Sequence, residues 1–285
     1  MGRLTVLVVV LAAACIVVST AAAITAPPTN FTDATGDSGT APDITNIAVT
    51  NDDHGLYSFT IDFATPYVNS DNLTIAIDSD NNVNTGDTQA LGADYLFEDD
   101  YASHSFDLAV WQANDFAEAP HATANVVVAS DNKSMTMTIN KSDLGNSTDF
   151  NFFVIASDGT FDTGHTDDAP SGAGAFSYSA QTVFTLAPGS SHDGAAKAGG
   201  TWTVSMRAVR SDTNATVGAD GTIACKATEG AKKLAVVSHS FVSSGGGGGS
   251  SAVCTFRVPK KPKHATVTVS DAGQSASKSF TAKTK

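Results

Sequence analysis

The sequence predicts an all-β protein built from two β-sandwich domains, the second immunoglobulin-like and closed by one disulfide. Three observations lead there. Apolar and polar residues alternate with a period of two in segment after segment, as in half-buried strands. Clusters of Asn, Asp, Ser and Gly interrupt that alternation roughly every ten residues, the spacing of sandwich turns. Beyond the first 23 residues no stretch shows an apolar period of 3.6.

The chain opens on an export signal. Arg3 supplies a positive start, Thr5 to Val18 is an almost unbroken apolar run, and Ala21-Ala22-Ala23 offers a small-residue cleavage site. Ala13-Ala14-Cys15 resembles a lipid-attachment box, which leaves lipid anchoring open beside cleavage. No later run is long enough to span a membrane. The expectation is a secreted or cell-surface protein with no membrane span once the signal, residues 1–23, is removed.

The first domain is read over residues 24–187. Tyr57, Phe59, Ile61 and Phe63 share one face of a strand, with Ser58, Thr60 and Asp62 on the other. Leu73, Ile75 and Ile77 repeat the pattern, as do Phe106, Leu108 and Val110, then Met135, Met137 and Ile139. Val126 to Val128 and Phe152 to Ile155 are short continuous apolar runs of the kind buried strands carry. Asn51 to Gly55, Ser130 to Lys133 and Ser157 to Gly159 supply turns, because Asn, Asp and Gly tolerate positive φ or cap their own turns. Residues 188–200, small and polar, read as a linker.

The second domain is read over residues 201–285, with alternation at Trp202, Val204 and Met206 and again at Phe256 and Val258. Once the signal leaves, only Cys225 and Cys254 remain, an even pair that suits one structural disulfide in an oxidising compartment. For a loop of about 29 residues the chain-entropy model gives roughly 3–4 kcal/mol. Gly221 to Cys225 and Ala252 to Pro259 resemble a bacterial immunoglobulin-like module, although the tryptophan, Trp202, precedes the first cysteine instead of lying between the two.

Charge separates the halves. Residues 24–194 hold 25 acidic and 2 basic residues, a net of −23; residues 195–285 hold 4 acidic and 13 basic, a net of +9. A salt-adapted proteome would acidify both halves, so the split points to different partners. Bound cations would relieve the self-repulsion of the first. The strongest motif there is Asp78-Ser79-Asp80-Asn81-Asn82-Val83-Asn84-Thr85-Gly86-Asp87. Oxygen-bearing side chains at the alternate positions Asp78, Asp80, Asn82 and Asn84 can converge on a hard cation, and calcium takes six to eight oxygens. Val83 and Gln89 depart from an EF-hand, which needs Gly and Glu there. The same residues also describe a surface loop of self-capping turns.

Together with Asp33-Ala34-Thr35-Gly36-Asp37, Ala41-Pro42-Asp43-Ile44, Gly92-Ala93-Asp94-Tyr95 and Asp167-Asp168-Ala169-Pro170, this stretch resembles the carbohydrate-binding-module family 9-like, or DOMON-like, β-sandwich over residues 30–187. The resemblance implies structural calcium, with Asp43, Asp78, Asp80 and Asp94 among its ligands, and in some members a sugar-binding face. Trp111 is the only tryptophan available there, with Tyr95, Tyr101 and His104 as helpers. The implied partner is an extracellular glycan or cell-wall polymer; Lys260, Lys261, Lys263 and His264 offer a basic patch for an anionic one.

Other classes fare poorly. The seven histidines fall singly, and no Gly-x-Ser-x-Gly elbow or phosphate loop is present. Glu98 and Asp115 are the carboxylates considered as a glycosidase pair, in a domain where acids meet by chance. Nucleic acid is not an expected partner of an exported chain without interleaved bases and aromatics. The expectation is a non-catalytic, calcium-stabilised carbohydrate-binding protein; the alternative is a structural or adhesive surface protein whose sandwiches are scaffold.

Overall fold

The computed structural model describes residues 23–68, 71–100, 105–119, 123–159, 165–188, 198–219, 222–229, 231–244, 249–260, 264–271 and 277–283. The expected signal up to Ala22, Cys15, Tyr101, His104, Lys261, Lys263 and most of the expected linker lie outside them. Among the described residues no helix is long and apolar enough to cross a membrane.

The N-terminal sandwich contains β1 (Thr29–Thr32), β2 (Ile44–Asn51), β3 (Leu56–Phe63), β4 (Asn72–Asp78), β5 (Tyr95–Asp100), β6 (Ser105–Gln112), β7 (Asp115–Glu118), β8 (Asn125–Val128), β9 (Ser134–Asn140), β10 (Asp149–Ser157), β11 (Thr166–Ala169) and β12 (Phe176–Ser179). One sheet has the order β1-β2-β3-β9-β8; the other runs β11-β10-β4-β5-β6-β7, with β12 also pairing β10. All the pairings are antiparallel.

The alternation in sequence becomes the inward face of each sheet. Tyr57, Phe59, Ile61 and Phe63 of β3 are buried against Leu73, Ile75 and Ile77 of β4 and Phe150, Phe152 and Val154 of β10 in one core. β4 is buried along its whole length, because neighbours flank it and both its faces are covered. Aromatic rings set the packing of one end. Tyr57 meets Phe150 edge-on at 5.4 Å, Phe59 meets Phe152 at 5.5 Å, and Phe31 meets Phe176 at 5.0 Å. Such pairs each add about 0.5–1.5 kcal/mol beyond the area they bury.

The C-terminal sandwich contains β13 (Thr185–Pro188), β14 (Thr201–Val209), β15 (Ile223–Glu229), β16 (Lys232–Lys233), β17 (Val236–Ser244), β18 (Gly249–Arg257), β19 (His264–Asp271) and β20 (Ser277–Lys283). Its sheets are β13-β14-β18-β17 and β16-β15-β19-β20. Cys225 of β15 and Cys254 of β18 are bonded, Cα to Cα 6.0 Å, so the disulfide ties one sheet to the other. Trp202 is buried on β14, opposite Phe256 in register, and packs in this core with Cys254. A tryptophan beside the disulfide thus comes from a strand before the first cysteine.

One boundary differs from the sequence reading. The sequence places residues 185–187 in the first domain and Pro188 at the start of the linker. Instead, β13 pairs with β14, Leu186 opposite Ala208, and Phe184 and Leu186 are buried in the second core. Pro188 fits because β13 is an edge strand, where a missing N–H costs no ladder bond. The domains therefore meet near residues 180–184.

That junction is pinned by hydrogen bonds. The Asn51 Oδ1 accepts from the Tyr178 hydroxyl and the Gln181 amide, each at 2.8 Å, while its Nδ2 donates to the Gln181 carbonyl at 2.9 Å. Asp53, buried, accepts from Ile24 N at 2.9 Å and, across the junction, from Ser211 N at 2.6 Å. His54 Nε2 lies 2.9 Å from Ser211 Oγ.

Candidate functional site

Two groups of carboxylates stand out among the described residues. Asp78, Asp80 and Asp94 each offer an oxygen within 4.8 Å of the others, and so do Asp33, Asp37 and Asp167.

The first group forms where β4 ends. Asp78 is the last residue of that strand, and Asp94 immediately precedes β5, its partner. The loop between them folds back on itself. Asp78 Oδ1 and Asp80 Oδ1 both accept from Asn82 N at 3.0 Å, and Asp94 Oδ2 accepts from Ser79 N at 2.9 Å. Two glycines permit the closure. Gly86 has φ +60°, and a Cβ there would lie 2.4 Å from the Gly92 carbonyl oxygen; one at Gly92, φ +85°, would lie 2.6 Å from Val83 Cα. Burial raises the Asp78 carboxyl above its usual range, with Asp80 beside it adding to the rise.

The loop uses its asparagines differently from the expected alternate-position ligand set. Asn82 Oδ1 accepts from Asn84 N at 3.2 Å and faces Asn84 Nδ2 at 3.3 Å. Asn82 and Asn84 thus hold each other in a self-capping turn. Their spacing was right for convergence, but short Asx side chains reach their own backbone first. Asp43 also departs from the expected set. It does not join Asp78, Asp80 and Asp94; its two carboxylate oxygens accept from Gly36 N at 3.0 and 3.1 Å.

Asp43 instead braces the second group. Asp33 and Asp37 flank the turn it caps, and Asp167 arrives on β11 from far along the chain. Asp167 is buried and its Oδ2 accepts from Ile44 N at 2.6 Å. Ser171 donates from its backbone to Asp33 Oδ1 at 2.8 Å, and its hydroxyl lies 2.8 Å from that oxygen and 2.9 Å from Asp37 Oδ2. Asp33 Oδ2 is buried with no hydrogen-bond partner among the described residues. Burial pushes the Asp167 carboxyl up to about 6, reinforced by the charges of Asp33, Asp37 and Asp43. An orphaned buried oxygen among four acids fits a hard cation, which would satisfy that oxygen and offset the repulsion. The sequence shows both motifs but not that they meet; Asp167 reaches the first through Ile44 N, and Ser171 does so through Asp33 and Asp37.

The expected sugar-binding aromatics do not form one platform. Trp111 is half-buried on β6, edge-on to Phe116 of β7 at 4.9 Å. Tyr95 pairs with Val110 in register and packs against the core, so it lies on the opposite face of the sheet. The outward row contains Trp111, Ala109, Leu96, Glu98, Phe153 and Ile155, all half-buried. Burial raises the Glu98 carboxyl. Glu98 stands opposite Asp107 on β6, whereas Asp115 stands opposite Gln112, five residues further, or about 17 Å along the strand. Retaining and inverting glycosidase pairs sit roughly 5–9.5 Å apart, so these two carboxylates do not form one.

No family model matches the chain, and no curated protein matches it. Among solved structures the chain is similar to the crystal structure of bovine butyrophilin, with a TM-score of 0.39 and 8% identity over 81% of this chain and 92% of that one.

Proposed function

We propose that this is an exported, non-catalytic binding protein whose acidic N-terminal sandwich is stiffened by divalent cations, calcium foremost. One observation carries the reading. Asp33, Asp37 and Asp167 converge from distant parts of the chain around a buried carboxylate oxygen that no group among the described residues satisfies. Asp78, Asp80 and Asp94 form a second, more exposed set that the same cation would use. The family 9-like resemblance implies structural calcium at Asp78, Asp80 and Asp94; the Asp33, Asp37 and Asp167 group is read from its geometry.

The target we assign is an extracellular glycan or cell-wall polymer, met by the outward row of the second sheet. Half-exposed Trp111 and Phe153 offer ring faces, and Glu98 and Asp107 offer polar contacts to sugar hydroxyls. The adhesive or structural reading keeps one specific observation in its favour: Trp111 leans edge-on against Phe116, as a residue covering a strand end does.

Calorimetry of the chain in millimolar calcium and again in EGTA tests the cation reading. At a hundredfold excess over the dissociation constant, ligand linkage gives about 2.7 kcal/mol. A higher melting temperature for the N-terminal transition in calcium is the expected result, and coincident melts would overturn it. Glycan-array binding that disappears in Trp111→Ala supports the sugar face; binding that survives the substitution points to the scaffold reading.

A further inference from the structure

Sheet edges are open templates for further strands, and proteins blunt them with charge, proline or coverage. Most edges described here are blunted. β7 carries Asp115 and Glu118, β11 carries Asp167 and Asp168, β13 carries Pro188, β16 is Lys232-Lys233, and β20 carries Lys278 and Lys283. β1 and β12 close on each other through Phe31 and Phe176.

Two edges are left bare. β8 reads Asn-Val-Val-Val, and β17 reads Val-Val-Ser-His-Ser-Phe-Val-Ser-Ser, with neither proline nor formal charge. Both also carry exposed apolar side chains: Val127 is 60% and Val128 41% exposed on β8, and Val236 is 41%, Val237 50% and Val242 49% exposed on β17. Among the described residues only two other large apolar side chains, Val68 and Val83, are as exposed. Exposed valines are thus concentrated where backbone N–H and C=O groups are free to pair.

We propose that copies of this chain associate head to tail, with β8 of one copy adding to β17 of the next. Charge selects this pairing over the symmetric ones. β8 belongs to the domain before residue 185, with 24 acidic and 2 basic residues, and β17 to the one after it, with 5 acidic and 13 basic, so β8–β8 and β17–β17 contacts bring like charge together while β8–β17 brings opposite charge together. Locally, exposed Lys232 and Lys233 lead into β17, whereas the β8–β9 turn carries one exposed charge of each sign, Asp131 and Lys133, so the selection rests on the domains' net charge. Main-chain bonding gives such a contact its geometry, and the valines cover it. Because the two edges differ and sit on different domains, the contact is heterologous, and repetition builds open chains instead of closed dimers. The proposal is independent of the cation reading.

Sedimentation velocity of residues 23–285 over a concentration series tests it, in EGTA and in calcium. At 50 mM salt the expected result is oligomers that grow with concentration past the dimer, weakened about tenfold or more at 500 mM salt by screening. Val127→Asp and Val242→Lys should each remain monomeric, since both sites are exposed and each substitution charges one edge. Should Val127→Asp melt early, Val127→Thr removes the apolar contact while keeping strand propensity. An equimolar mixture of Val127→Asp and Val242→Lys keeps one intact β8 and one intact β17, so it should form a dimer and nothing larger. A wild-type chain that stays monomeric at every concentration overturns the proposal. So does a mixture that stays monomeric, or a Val127→Asp variant that assembles like wild type, which would indicate symmetric β17 pairing.

Discussion

The two sandwiches solve one problem by different means. The N-terminal one is the larger, with twelve strands, a core rich in aromatic rings and no cysteine in its described residues. It tolerates 24 acidic residues against 2 basic by gathering carboxylates into groups that backbone amides, and in our reading cations, hold in place. The C-terminal one has eight strands, a smaller core, the opposite charge and a disulfide between its sheets. A large core can support polar, ligand-dependent loops. A small core gains most from constraint on its unfolded chain.

The sharpest break of that contrast is the disulfide. Cys225→Ala with Cys254→Ala should lower the stability of the C-terminal sandwich by about 3–4 kcal/mol and leave the N-terminal transition where it is. Differential scanning calorimetry reads both; if both transitions fall together, the domains unfold as one unit. Next in size is the cation effect. Asp37→Asn and Asp80→Asn should each remove part of the approximately 2.7 kcal/mol that saturating calcium adds to the N-terminal transition, and change little in EGTA. Equal loss in both solutions would mean that these residues serve only as turn caps.

The junction comes third. Asp53→Ala leaves Ser211 N and Ile24 N without their acceptor, a change worth about 1–3 kcal/mol. It should separate the two calorimetric transitions further and speed proteolysis between residues 180 and 184. The smallest expected effect is on pH dependence. The Asp167 carboxyl is raised to about 6 when folded but titrates near 4 when unfolded. Its contribution is therefore fully present below about pH 4 and lost as pH rises through about 6. In EGTA the N-terminal transition should fall across that window. In calcium the ionised form becomes the binding form, so the fall should shrink or reverse. Melting curves at pH 4.5 and 7 in both solutions check the sign.

Much of this was legible in the sequence. The inward faces of β3, β4 and β9 were plain because alternation is local, and the Asp78–Asp94 group was legible because its members lie within one loop. The Asp33–Asp37–Asp167 group was not, because its members meet only through side-chain hydrogen bonds between segments more than a hundred residues apart. Asn82 and Asn84 had the spacing of ligands, yet spacing does not reveal that an amide will bond its neighbour. Tyr95 was misjudged because strand parity in sequence does not say which neighbour faces which side; its register with Val110 does. The domain boundary was misplaced because Ala187-Pro188 has the composition of a linker, and composition cannot distinguish a tether from an edge strand.

That last feature changes what residues 189–197 are for. Since β13 and β14 are hydrogen-bonded neighbours in one sheet, the chain between Pro188 and Ala198 starts and ends within the C-terminal sandwich. Its length sets a ring-closure entropy, which grows only with the logarithm of residue number, at about 0.6 kcal/mol per doubling. Lengthening it would leave the spacing of the sandwiches untouched. The reach between them is set by the few residues from Ala180 to Phe184, which the bonds between Asn51 and Gln181 hold against the first domain.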